Sequence, residues 1–224
     1  MEDRTRVEMR VGPARLADDA EAAPRLGNSG EQIVQELNGR YYEQVVRGNV
    51  FIYSTVAAGI ALITPAAAGL IPTLWNPAGS GYNFIPIRWV MGYVTALHNA
   101  PTNITLSTIP NAGNVIGAGL PIITFTDVAP VSALLGSGKV SKMRWAPAVC
   151  TFTPIPTFLM TLGISQFTGE DATAVAPFQL SVDFDGTLIV GPGNTLSLGS
   201  VGATTTSLYT VSIIGMELPV PLTV

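Results

Sequence analysis

From Asn49 onward the apolar positions fall in short runs rich in Val, Ile, Thr and Phe, punctuated by Gly, Pro and Asn. Runs of this length and texture predict β-strands. We expect them over 50–55, 82–94, 103–107, 121–126, 143–152, 157–163, 176–182, 187–190, 195–198 and 205–218. Turn-forming joints separate them: Asn76-Pro-Ala-Gly-Ser-Gly81, Asn111-Ala-Gly113, Gly136-Ser-Gly138, Asp185-Gly186 and Gly191-Pro-Gly-Asn194. Many short strands with such punctuation predict an all-β fold, an antiparallel β-sandwich of jelly-roll-like type. The 17 prolines suit strand ends and sheet edges better than helices.

Ahead of the strands lies one helical pattern. Ser29 with Gln32 resembles a capping box, and Ile33, Leu37, Tyr41 and Val45 recur every four residues as one apolar stripe. Gly48 supplies a stop, and Gly39 weakens the interior by about 1 kcal/mol relative to Ala, so a break there is expected to be tolerated. The stripe suits a helix packed on its own domain or one that docks on a partner. Residues 1–28 are charged and poor in large apolar groups; such a segment orders by lying on something else. The expected organisation is an extended arm over 1–28, a helix or linker over 29–48 and a β-domain over 49–224.

Charge changes this picture most. Of 26 charged residues, residues 1–50 hold 16, seven Arg and nine Asp or Glu. The other 174 hold ten: Arg88, Asp127, Lys139, Lys142, Arg144, Glu170, Asp171, Asp183, Asp185 and Glu217. Soluble domains carry about a quarter charged residues. A body this poor in ions exposes apolar and hydroxyl surface, which implies cover by other subunits. The net charge of −4 gives no reason to expect a nucleic-acid partner. Residues 50–75 are long and apolar enough for a membrane span, but Pro65, Pro72 and the β-branched content favour short buried strands, and no membrane partner is expected. The charged start Met1-Glu-Asp-Arg-Thr-Arg lacks the apolar core of a secretory signal. One cysteine, Cys150, forbids an intramolecular disulfide.

Little else carries chemistry. Val182-Asp-Phe-Asp-Gly-Thr-Leu-Ile-Val190 resembles the first motif of haloacid-dehalogenase-type phosphatases, in which the first Asp is a nucleophile and the second a general acid with Mg²⁺. Beyond Val190 come no Lys and one acid, Glu217, so nothing offsets phosphate charge; a hairpin turning at Asp185-Gly186 is the expected structure. His98, the only histidine, is expected in a surface loop, and Cys150 as a buried core thiol. Gly113-Asn-Val-Ile-Gly-Ala-Gly119 and Gly136-Ser-Gly-Lys139 fall short of phosphate-loop patterns. Lys139, Lys142 and Arg144 form a basic cluster suited to a solvated loop or an acidic patch on a neighbour. Trp75, Trp89 and Trp145 are expected as core or interface anchors. No catalytic, cofactor-binding or metal residue is expected, and no cofactor.

Three stretches resemble virion proteins of tailed bacteriophages: Gly39-Arg-Tyr-Tyr-Glu-Gln-Val-Val-Arg-Gly-Asn-Val-Phe51, Leu74-Trp-Asn-Pro-Ala-Gly-Ser-Gly81, and Gly186-Thr-Leu-Ile-Val-Gly-Pro-Gly-Asn-Thr-Leu-Ser-Leu198 with the closing strand to Glu217-Leu-Pro219. The last is similar to the ends of jelly-roll domains in trimeric phage decoration (cement) and fibre proteins. The resemblance implies a non-enzymatic capsid decoration or cement protein, a homotrimer bound to the major capsid protein or another virion protein, within a virion assembled in the host cytoplasm. The alternative it implies is a tail-fibre or receptor-binding module for host glycans. Expected interface residues are Ile33, Leu37, Tyr41 and Val45 on the helix, with Trp75 and Trp89.

Overall fold

The computed structural model describes residues 39–64, 68–69, 71–95, 102–110, 122–125, 127–147, 150–153, 155–165, 179–201 and 207–220. The chain divides into two compact units, Met1–Glu43 and Gln44–Val224, and every strand lies in the second. One sheet has six strands: β1 (Val50–Ser54), β2 (Ile60–Ala61), β5 (Tyr82–Thr95), β8 (Val131–Ser132), β12 (Gln179–Asp183) and β14 (Leu208–Pro219). Its order is β12-β5-β14-β1-β8, with β2 also paired to β14. A second sheet joins β4 (Thr73–Trp75), β6 (Thr102–Thr108), β9 (Arg144–Ala146), β11 (Thr157–Ser165) and β13 (Thr195–Val201) in the order β11-β6-β13-β4-β9. Three short strands, β3 (Ala68–Gly69), β7 (Ile122–Phe125) and β10 (Cys150–Thr153), form a small third sheet ordered β3-β10-β7.

The connectivity is that of a jelly roll. Taken in chain order, β1, β4, β5, β6, β11, β12, β13 and β14 pair antiparallel first with last, second with seventh, third with sixth and fourth with fifth. Two further pairs, β5 with β14 and β6 with β13, close the wound hairpin into two sheets. The fold class expected from the strand pattern is the one observed.

Alternation sets the core. Buried and half-buried residues alternate along β14 from Leu208 to Leu218, placing Tyr209, Val211 and Ile213 inward beside Phe51 and Tyr53 of β1 and Phe84, Trp89 and Met91 of β5. Opposite them stand Leu74, Ile104, Leu106, Trp145, Leu196 and Leu198 from the five-stranded sheet. Tyr53 meets Phe84 edge to face, with ring centroids 5.3 Å apart. Gly215 is required here, because a Cβ on it would sit 2.2 Å from the Phe84 ring. Trp75, next to inward Leu74, points the other way and joins Ile71, Ile109, Ala146 and Cys150 in a second cluster, which covers part of the five-stranded sheet's outer face.

Several local expectations change. The helix α1 spans only Tyr42–Val46 and follows Gly39, whose carbonyl accepts from the Tyr42 amide at 2.8 Å; Gly48, at φ +76°, ends that turn. Ser29, Gln32, Ile33 and Leu37 lie outside the described residues. The run 143–152 is two strands in different sheets, β9 and β10, divided at Pro147, which cannot donate to a ladder. Residues 187–190 form no strand: Val190 makes one isolated bridge to Phe84. The expectation of short strands over 50–75 holds, as β1, β2, β3 and β4, and among the described residues no helix is long and apolar enough to cross a membrane.

Candidate interaction surface

The phosphatase-like acids sit in a turn. Asp185 and Gly186 both have positive φ, 46° and 84°, and the Thr187 amide donates to the Phe184 carbonyl at 2.8 Å, as in a type I′ turn. The turn does not join two hairpin strands. Phe184 donates to the Ile87 carbonyl and Val190 pairs with Phe84, both on β5, so the residues between them loop out from one edge. Pro86 of β5 lies opposite this interruption. Asp183 is bound by Arg88, whose Nε donates to Oδ1 at 2.5 Å and NH2 to Oδ2 at 3.2 Å. A carboxylate held bidentately by a guanidinium is a poor nucleophile. No group of three His, Cys, Asp or Glu able to hold a metal occurs among the described residues.

Cys150 is fully buried, and desolvation pushes its thiol up to about 12, offset in part by a hydrogen bond with Thr73. Gly136-Ser-Gly138 turns between β8 and β9, with the Ser137 amide on the Leu134 carbonyl, and no helix follows it. His98, Gly113–Gly119, Glu170 and Asp171 lie outside the described residues.

One charged group is buried that strand reading did not single out. Glu217 shares the inward parity of Tyr209, Val211 and Ile213 on β14 and is 3 % exposed. Its Oε1 accepts from Tyr53 Oη at 2.6 Å and from Ser141 Oγ, and its Oε2 from the Lys142 amide at 2.8 Å. Burial first, then the Glu217 charge, hold the Tyr53 phenol well above its ordinary value. The available signal was an acid at an inward position of an alternating strand. Beside it opens a pocket of about 350 Å³ lined by Phe51, Tyr82, Lys139, Val140 and Lys142 among others. The Lys139 stem lies against Gly48. The third basic residue, Arg144, pairs with Asp127 and stacks 5.2 Å over the Trp75 ring. The sequence-defined basic cluster is therefore divided between a pocket rim and a closed ion pair.

Of the expected interface residues, Tyr41 and Val45 are half-buried. Trp75 and Trp89 are 5 % and 1 % exposed and pack inside this chain, as does Trp145. The exposed apolar surface lies elsewhere. Strand β11 ends the five-stranded sheet, and Phe158, Leu159, Met160 and Ile164 on it are all exposed, Ile164 at 62 %. Two register shifts in its pairing with β6, at Phe158/Met160 and Thr161/Gly163, explain why no face of β11 is cleanly inward. The outer face of the six-stranded sheet is the other candidate, with Ile52, Val90, Ile214 and Met216 all half-buried.

Comparison with family models, with curated proteins and with solved structures finds no match to this chain.

Proposed function

We propose that this chain is a non-enzymatic structural protein of a tailed-bacteriophage virion, a decoration or cement protein that binds the capsid shell as a homo-oligomer. The observation that carries the reading is a jelly-roll surface that, among the described residues, is rich in exposed apolar side chains and poor in charge. Two of the body's four cations, Arg88 and Arg144, are spent on Asp183 and Asp127, and Glu217 is turned inward. Phe158, Met160 and Ile164 stand exposed on an edge strand, where soluble monomers place lysines or prolines. A surface of this kind is stable in water when partners cover it. The phage assignment itself rests on the three sequence stretches and the jelly-roll order.

The glycan-binding alternative has less support. All three tryptophans are buried in the chain, which leaves no indole to stack on a sugar.

The test is binding to purified heads. The protein is expected to saturate a fixed number of sites on undecorated capsids, and deletion of residues 1–28 to release it while the β-domain stays folded by circular dichroism. Binding to tails or glycans with none to heads rejects the decoration role, and unchanged occupancy after the deletion rejects the arm's part in it.

A further inference from the structure

The two faces of the sandwich are finished differently. On the five-stranded sheet the outward side chains Thr73, Thr105, Ser107, Thr195 and Ser197 are all 1 % exposed or less. On the six-stranded sheet the inward set is largely buried, yet the outward residues form rows of half-buried and exposed side chains at matched register. One row runs Asp183, Arg88, Ile214, Ile52 and Val131 across β12, β5, β14, β1 and β8. The next runs Ser181, Val90, Ser212 and Ser54, the last two joined Oγ to Oγ at 2.9 Å. Ile85 and Met216 begin a third.

This face contains one ion pair, Arg88 with Asp183, and that pair is closed within the chain. The rest of those rows is aliphatic or hydroxyl. The two charges of that pair offset each other, and the middle of the face offers no ladder edge to an added strand, so its complement is another flat, mainly aliphatic and hydroxyl surface. A second copy supplies that chemistry. The area is also sufficient: the five strands hold 38 residues, which at about 3.3 Å along and about 4.8 Å across for each present roughly 600 Å². Two copies then bury about 1,200 Å², the lower bound for a specific and stable interface.

We propose that the outer face of the six-stranded sheet pairs with the same face of a second copy, sheet on sheet, about a twofold axis. This inference rests on the homo-oligomer of the proposed function and names its contact. Such a contact is isologous, so it joins chains in pairs, or joins two trimers, instead of closing a trimer by itself.

The test uses the full chain. Ser212→Cys places a thiol near the centre of the face, and the natural Cys150 is buried and protonated at neutral pH. Mild oxidation is expected to link Ser212→Cys copies into a covalent dimer, while Val140→Cys, exposed between β8 and β9 and outside those rows, stays unlinked. Ile214→Glu is expected to halve the mass by sedimentation with the far-UV spectrum unchanged; should it fail to fold, the cross-link alone decides. A wild-type protein that is monomeric at all concentrations overturns the pairing, and head binding then judges the decoration role separately. An oligomer that Ile214→Glu leaves intact and Ser212→Cys leaves unlinked overturns it as well. An Ile214→Glu protein of unchanged mass that no longer binds heads assigns the face to the shell and overturns the pairing.

Discussion

At Glu217 three donors converge on a carboxylate nearly closed to solvent, one from β1 and two from the segment leading into β9. A buried ion is tolerable when its lone pairs are used, and here the same bonds tie Ser141–Lys142 to the sheet. Tyr53→Phe removes one charge-assisted bond without opening a cavity. We expect it to cost about 2 kcal/mol, a fall in Tm of roughly 4–8 °C for a chain of this size, read by calorimetry. Alkali tests the same site. The folded state holds the Tyr53 proton more tightly than the unfolded chain, so its contribution is complete below the ordinary tyrosine value near 10 and is lost as pH rises through the higher folded value. Cys150 has the same sign between 9.0 and about 12. Phenolate absorbance should show a component that ionises only as the fold is lost and that is smaller by one tyrosine in Tyr53→Phe; smooth titration of every tyrosine in the native protein would contradict it. Gly215 makes a steric point. Gly215→Ala drives a methyl into the Phe84 ring, at an expected cost of about 1–3 kcal/mol. Adding Phe84→Leu should recover part of that loss, a coupling that urea denaturation of the four proteins would measure.

Between strands, two of the turns expected from Gly, Pro and Asn prove to be one structure. Asn76 Nδ2 donates to the Tyr82 carbonyl at 2.7 Å and the Val190 carbonyl at 2.8 Å, while Oδ1 accepts from Ser80 Oγ. Its amide and carbonyl bind Asn194 and Gly193 of the second corner. Asn76→Asp puts an oxygen where two carbonyls need a donor, and we expect a loss of about 3 kcal/mol or more. Equal stability of Asn76→Asp and wild type in urea would refute that account. Local pattern had located these turns, and it located the long strands β5, β6, β11 and β14 within a few residues, because each is a run of apolar and β-branched residues bounded by turn formers, with period-two burial clear in β14. It expected short strands over 50–75 but set no bounds on β2, β3 or β4, and it did not find β8; these have two or three residues each, and their existence depends on a neighbour's register. It read 187–190 as a strand from β-branched content, although the preceding positive-φ turn carries those residues off the β5 edge. Cys150 was placed correctly as a core thiol, since small apolar residues between strand neighbours have one place to go. The exposed residues of β11 were invisible, because Thr-Phe-Leu-Met-Thr-Leu reads as buried until the register shifts with β6 are known.

For the whole molecule, the distribution of charge fixes how association should respond to solvent. Attraction between ionic surfaces weakens as salt shortens the Debye length to about 10 Å at 0.1 M and about 3 Å at 1 M. In the described β-domain, Arg88 and Arg144 are paired within the chain and Glu217 is enclosed, so few charges remain for a partner to meet. Contact through Ile52, Val90, Ile214 and Met216 or through β11 is instead apolar, and sulfate, excluded from protein surface, favours its burial. Self-association should therefore change little between 0.05 and 0.5 M NaCl, about threefold or less in dissociation constant, and should tighten in 0.3 M sodium sulfate. It should also carry a negative heat-capacity change by titration calorimetry, as burial of apolar area requires. A dissociation constant rising tenfold or more across the NaCl series would place the contact on ions instead. The basic pocket rim at Lys139 and Lys142 would then be the surface to substitute first.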